Sequence, residues 1–289
     1  MWIWFVLLYG VLKGVREICK KKAMVKSSNV EILFIYSLLS FVFLLPDIPN
    51  AVGDNLPLST LPYIALKSFI IFIAWICSFN AIKALPLSLV GVLDLSRVLF
   101  ASLLGITVMS EVMPPLHILG LVLVASGLLL LKWNPFLLGK NKISDKNVSA
   151  RPLFVILALV SCLLNAVSGL MDKILMKDIT SSQLQFWYML FLVVFYFIYM
   201  LFTKTDVSLK RGLTNPWIWT LSILFVVADR ALFIANADPN SQITIMTLLK
   251  QAGAIVTILA GRFIFKEKNT AHKLVCAGVI IVGIVCGVL

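Results

Sequence analysis

Two residues of opposite charge lie three positions apart in an apolar stretch that reads GVLDLSRVLF over residues 91–100. On a helix, Asp94 and Arg97 would share one face, because residues at positions i and i+3 are neighbours there. Charges in such a stretch must pair, face the protein interior or line water. The pair can therefore hold itself together, or it can hold the charged groups of a ligand.

Other polar and aromatic side chains lie at similar depth in other apolar stretches. A charge at the centre of a membrane helix costs about 2.5 to 3.5 kcal/mol, so several facing lipid would cost as much as the whole stability of a typical fold. We therefore expect a shared interior site for solute. Its candidate residues are Lys13, Trp75, Asp94, Arg97, Asn165, Asp229, Arg230, Lys250 and Gln251. Glu17, Asp94 and Asp229 are candidates for proton coupling.

The composition indicates that these stretches cross a membrane. The chain has 289 residues, of which 61% are hydrophobic, and its mean hydropathy is +1.02. Apolar runs long enough to span a bilayer recur from end to end, and each must close its backbone hydrogen bonds as a helix. We predict an all-α polytopic membrane protein with ten transmembrane helices, at 2–18, 31–45, 62–84, 87–109, 115–131, 152–176, 182–202, 216–237, 241–265 and 272–289.

The net charge of +12 does not predict a nucleic-acid partner, because the Lys and Arg residues are spread over alternate connections. Such a distribution is typical of the cytoplasmic loops of a membrane protein. It predicts that the odd-numbered connections are cytoplasmic and that both termini lie outside the cell membrane. The first apolar run precedes its positive charges, so we do not expect it to be a cleavable signal peptide.

The chain can be aligned with itself at a shift of about 155 residues. The stretch KSSNVEILF at 26–34 meets TSSQLQFWY at 180–188, and FNAIKALPLS at 79–88 meets FIANADPNS at 233–241. We predict two five-helix repeats, at 1–131 and 152–289, joined by a basic loop at 132–151. An odd number of helices per repeat makes the repeats inverted in the membrane, so Asp94 and the roughly equivalent Lys250 should converge near its midplane.

These features resemble the EamA-type transporters of the drug/metabolite transporter superfamily. Each half has a helix of small residues that ends in Ser-Glu or Lys-Glu, followed by a helix with glycines. These residues are Ser110, Glu111, Gly120 and Gly127 in the first half and Lys266, Glu267, Gly278 and Gly283 in the second. The resemblance implies that helices 1, 3, 4, 6, 8 and 9 surround a substrate cavity and that helices 5 and 10 are peripheral.

The leading functional hypothesis is a secondary transporter that moves a small zwitterionic metabolite, such as an amino acid, by alternating access. An organic anion, a phosphorylated or nucleotide-linked compound, or a lipid-linked sugar is the alternative cargo. No nucleophile–base pair, metal-ligand cluster or phosphate-binding loop is present, so we expect neither an enzyme nor a cofactor or metal. The charges could instead be structural ion pairs, with Lys13, Lys67 and Lys173 reaching the membrane surface. The chain could act as a monomer or a homodimer.

Overall fold

A computed structural model describes residues 2–25, 27–52, 56–109, 115–132, 151–204, 207–266 and 270–286. Within these ranges, all regular structure is helical. The predicted basic loop at 132–151, apart from its two end residues, lies outside the described residues. The same is true of Ser110, Glu111 and Glu267.

Fourteen α-helices form the described part of the chain. The first half contains α1 (Trp2–Ala23), α2 (Asn29–Leu44), α3 (Ile48–Val52), α4 (Leu61–Ala84), α5 (Leu87–Asp94), α6 (Arg97–Met109) and α7 (Pro115–Lys132). The second half contains α8 (Arg151–Leu175), α9 (Ser181–Thr203), α10 (Leu209–Leu213), α11 (Pro216–Ala237), α12 (Ile243–Lys250), α13 (Ala252–Phe263) and α14 (Thr270–Cys286).

Polar caps fix where the second helix of each half begins. The Ser28 hydroxyl accepts a hydrogen bond from the Glu31 amide at the start of α2. At the start of α9, Thr180 and Gln183 form a reciprocal capping box, in which each side chain bonds the other residue's backbone amide. These bonds satisfy amides that have no partner within the helix, so they favour the start of α2 and α9 at these positions.

Within the part of the chain that the structure describes, six helical stretches are long and apolar enough to cross a membrane. They are Asn29–Val52, Leu58–Ala84, Leu87–Met109, Pro152–Leu175, Ser181–Thr203 and Pro216–Ala237. α1 has 22 residues but carries several charges, and α7, α13 and α14 contain shorter apolar stretches. The chain is therefore a multi-pass membrane protein, while a total of ten membrane-spanning helices stays a prediction.

The fourth and ninth predicted spans are each interrupted by a short break in the helix, which the sequence analysis did not predict. The fourth divides into α5 and α6 after Asp94, and the ninth divides into α12 and α13 at Gln251. At the first break the amides of Leu95 and Ser96 bond to carbonyls three residues back, at 3.1 and 3.0 Å. Such tight turns interrupt the regular α-helical bonding. They place Asp94 and Lys250 at the last residue of the segment before each break.

The packing of the helices is nearly unchanged when the two halves are exchanged. α1 of the first half packs on α11 of the second, and α8 of the second half packs on α4 of the first. α2 packs on α9, and α7 packs on α14, so these pairs each join equivalent helices. This arrangement fits two structural repeats that are interlocked rather than placed side by side.

Candidate functional site

A cavity with a volume of about 110 Å³ open to the centres of water molecules lies between the two halves. It is larger than the roughly 10–15 Å³ that one water needs by this measure. Residues of α1, α4, α5, α6, α8, α11, α12 and α13 line it, and Tyr188 of α9 joins them. None of the described residues of α2, α7 or α14 lines it. The helices that line the cavity correspond to predicted helices 1, 3, 4, 6, 8 and 9, which the family resemblance places around it. Tyr188 of α9 is an addition to that set.

Asp94 lies between two cations at the end of α5. Its carboxylate pairs with the Lys13 ammonium of α1 through Oδ2. Its Oδ1 accepts from Arg97 Nη2 at 2.8 Å. The C-terminus of a helix carries partial negative charge, which disfavours an acid there. The two cations offset this effect, so each oxygen of the Asp94 carboxylate has a cation of the protein beside it.

A close crossing of helices brings Lys13 to this position. A Cβ atom on Gly14 would lie 2.6 Å from the Gly253 carbonyl oxygen, so α1 and α13 approach with backbone nearly in contact. Only glycine allows this approach. Since Gly14 follows Lys13 directly, the crossing sets the depth at which the Lys13 ammonium meets Asp94.

A second ion pair joins α1 to α11. Arg16 Nη1 lies 3.3 Å from Asp229 Oδ1, and the guanidinium lies 5.0 Å from the centre of the Phe225 ring. On the next turn of α1, Lys20 Nζ pairs with Glu17 Oε1 at 2.6 Å. Asp229 and Glu17, two of the candidates for proton coupling, therefore each have a cation beside them.

A third pair joins α4 to α8. Lys67 Nζ lies 3.0 Å from Asp172 Oδ1 and 3.5 Å from the centre of the Tyr188 ring. The Lys67 side chain is only 2% exposed, so it does not extend to the membrane surface as one interpretation of the sequence suggested. Lys173 also turns inward to protein, where it donates to the carbonyl oxygens of Asn236 and Asp238.

Lys250 differs from the other cations that line the cavity. Its side chain is buried at the end of α12. Among the described residues, no carboxylate oxygen lies within ion-pair distance of its ammonium, which lies 5.8 Å from the centre of the Tyr9 ring. A cation–π contact at this distance contributes modestly. Lys250 is therefore a buried cation that can accept an anionic ligand without breaking an ion pair.

Trp75 and Asn165 also line the cavity, as the sequence predicts. The Trp75 ring packs 5.2 Å from Tyr36 and meets the edge of Phe225 at the same distance. Asn165 Nδ2 donates to the Ser161 carbonyl oxygen at 2.7 Å, which leaves its amide oxygen for other partners. Trp75 provides an apolar wall and Asn165 a neutral polar group.

Arg230 and Gln251 are not among the residues that line the cavity. Arg230 instead pairs with Asp47 at 2.5 Å and donates to Gln185 and Ser182, both at 2.6 Å. Adjacent helical residues point about 100° apart, and Asp229 takes the inward direction. Gln251 is buried at the helix break, and neither of its side-chain polar atoms has a hydrogen-bond partner in the described structure.

Four lining charges were not among the predicted site residues: Arg16, Lys20, Lys67 and Asp172. Each lies near or beyond the end of a predicted span, where the sequence suggests contact with water or lipid headgroups. Lys67 and Asp172 did carry a signal. Lys67 lies near the start of one predicted span, and Asp172 lies near the end of a span in the other half. In an inverted repeat these two positions can lie near the same membrane face.

Comparisons with known proteins agree with this architecture. The model of the EamA-like transporter family matches the chain twice, over residues 1–133 and 152–289. A crystal structure described only as that of a protein shares the fold, with a TM-score of 0.64, 13% identity and coverage of 97% of this chain and 98% of the other. No curated protein matches the chain. Since the family model covers most of both halves, the chain belongs to the EamA-like transporter family of the drug/metabolite transporter superfamily and is a membrane transporter.

Proposed function

We propose that the protein is a secondary transporter that carries a small organic anion through the central cavity by alternating access. The observation that carries this proposal is the surplus of positive charge in the cavity wall. Six cations line the described cavity against four carboxylates. The cations are Lys13, Arg16, Lys20, Lys67, Arg97 and Lys250, and the acids are Glu17, Asp94, Asp172 and Asp229.

The arrangement of the pairs locates this surplus. Each of the four carboxylates has at least one cation beside it, and Asp94 has two. Lys250 is the exception among the lining cations, because no carboxylate of the described residues lies within ion-pair distance of it. A buried charge without a partner is costly, and a ligand of opposite charge would remove that cost. We infer that Lys250 binds the anionic group of the cargo.

A zwitterionic cargo, which the sequence favours, fits the cavity less well. Its ammonium group would need a free carboxylate, and each lining carboxylate is already in an ion pair. The aromatic rings of Tyr9, Trp75 and Tyr188 in the cavity wall suit an organic molecule with some apolar surface. The arrangement therefore favours the alternative cargo class, which includes carboxylates and phosphorylated compounds.

Counterflow in liposomes tests the proposal. Purified protein would be reconstituted with a panel of monocarboxylates, dicarboxylates, phosphate monoesters and neutral amino acids. We expect exchange of solutes with net negative charge, loss of that exchange in Lys250→Gln, and partial retention in Lys250→Arg. Arg230→Gln is the matched control, because Arg230 is an ion-paired cation outside the cavity. Exchange restricted to neutral amino acids, or unchanged exchange in Lys250→Gln, would contradict the proposal.

Two further parts of the proposal concern coupling and orientation. Proton binding at Glu17, Asp94 or Asp229 would have to break an existing ion pair, so counterflow under an imposed pH gradient tests each acid through its amide variant.

The positive-inside pattern supports a placement in the cell membrane with both termini outside. Accessibility of a terminal tag to protease in intact cells tests that orientation.

A further inference from the structure

The ion pair between Lys67 and Asp172 lies at one end of the cavity. Lys67 is in the second turn of α4, and Asp172 is in the last turn of α8. Phe233, near the end of α11, places its ring 5.1 Å from the Lys67 ammonium. The end of the cavity at which α4 begins and α8 and α11 end is therefore crossed by an ion pair held against two aromatic rings, Tyr188 and Phe233.

This end is the more closed one. The exposed fraction of the charged side chains is 14% at Glu17 and 10% at Lys20, the pair towards the other end. It falls to 7% at Asp172 and 2% at Lys67. Beyond the pair, Lys173 donates to Asn236 and Asp238 at 3.2 and 2.9 Å and so ties the connection after α11 to α8.

The pair also connects the two halves. α4 belongs to the first half and α8 to the second, and the equivalent contact at the other end of the cavity is between α11 and α1. The self-alignment at shifts of 153 and 154 places Leu221 opposite Lys67 and Cys19 opposite Asp172. Leu221 and Cys19 are both buried and belong to one apolar cluster. The contact between α11 and α1 therefore has apolar residues at the positions equivalent to Lys67 and Asp172, and its own ion pair, Arg16 with Asp229, lies at other positions along it.

We propose that Lys67 and Asp172 form a latch that holds one end of the cavity closed. Alternating access moves one repeat against the other, so opening at the latch must separate the two charges. Water that enters with the opening can solvate both. The latch therefore opposes partial separation more than full opening, and it biases the resting protein towards closure at this end.

The latch rests on alternating access but not on the charge of the cargo. Its test uses no cargo, so a failed latch would leave the anion proposal standing, and unchanged anion exchange in Lys250→Gln would leave the latch standing. The reporter is native Cys162, which is buried in the cavity wall. The other four cysteines, Cys19, Cys77, Cys276 and Cys286, would be replaced by alanine.

The measurement is the rate at which a membrane-impermeant maleimide labels Cys162 from each face of liposomes in which the protein has a determined orientation. In Asp172→Asn the Lys67 charge has no partner in the closed state, so we expect labelling from the face at which α4 begins to rise about tenfold, the result of a shift of about 1.4 kcal/mol. In Lys67→Gln/Asp172→Asn no charge is left unpaired, so labelling should return towards the original rate.

Controls separate the latch from general damage. Asp47→Asn removes the acid of the Arg230 pair outside the cavity and should leave labelling from both faces unchanged. If Asp172→Asn does not accumulate as folded protein, Lys67→Gln provides the same comparison, because it leaves Asp172 unpaired. Unchanged labelling in the single variants would overturn the latch. An increase that the double variant keeps in full would overturn it too, since the increase would then come from lost packing rather than from charge.

Discussion

The two broken helices occupy equivalent places in the two halves, yet their charges differ. The first break carries an acid that is in ion pairs, and the second carries a base that forms none within the described residues. α5 ends on Asp94, which Lys13 and Arg97 neutralise from both sides. α12 ends on Lys250, which forms no ion pair within the described residues and lies 5.8 Å from the centre of the Tyr9 ring. A cation at a helix C-terminus is favoured by the helix dipole, whereas an acid there is not. The first break therefore needs partners from the protein, and the second can stand open for a solute.

Removal of the acid at the first break should have the largest effect on stability. Asp94→Asn leaves Lys13 and Arg97 buried side by side without a counter-charge, so we expect a loss of about 3 to 5 kcal/mol of unfolding free energy. Denaturant unfolding in detergent measures this loss. Asp94→Glu, which keeps the charge, is the control. A loss below about 1 kcal/mol in Asp94→Asn would contradict the comparison, because it would show that the first break does not depend on its ion pairs.

The glycine crossing should have the next largest effect. In Gly14→Ala the new methyl group meets the Gly253 backbone and Val256, so α1 must move away from α13. We expect a loss of about 1 to 3 kcal/mol together with reduced counterflow, because Lys13 moves with α1. Gly278→Ala is the matched control, since a Cβ atom there meets nothing within 4 Å. Equal unfolding midpoints for the two variants would contradict the role of the crossing.

A smaller effect is expected at Arg230, the charged neighbour of Asp229. Its partners are Asp47, Gln185 and Ser182, and its side chain is 27% exposed, so water can replace part of what is lost. Arg230→Gln should cost about 1 kcal/mol in unfolding free energy and leave counterflow near the original rate. Abolished counterflow in a folded Arg230→Gln protein would place Arg230 in the transport path.

The smallest change in stability is expected at Lys250. Lys250→Gln removes a buried charge that has no ion-pair partner within the described residues, and the gain from removing that charge offsets the packing lost with the shorter side chain, so the unfolding free energy should stay within about 0.5 kcal/mol of the original. Transport of anions should nevertheless be lost. This separation of function from stability is the sharpest contrast with Asp94→Asn. A large destabilisation in Lys250→Gln would mean that Lys250 has a structural role.

Apolar length, repeated landmarks and the spacing of charges were enough to predict a helical membrane protein of two repeats and a charged interior. They also placed Lys13, Asp94, Asp229 and Lys250 in that interior, because a charge in an apolar span has few other places to go. The same reasoning could not choose between Asp229 and Arg230, since the rotation of α11 depends on what packs around it. It also treated Lys67 and Asp172 as end residues.

The sequence by itself determined which residues are too costly to face lipid, because transfer of a charge depends mainly on the side chain and its depth. Tertiary structure alone decided which of those charges meet. Partners such as Arg16 and Asp229 are 213 positions apart in the chain, and no local spacing relates them. Tertiary structure also decided where the helices break, at Asp94 and Lys250. A helix can be interrupted in the membrane only where neighbouring helices or a water-filled cavity satisfy the freed backbone groups.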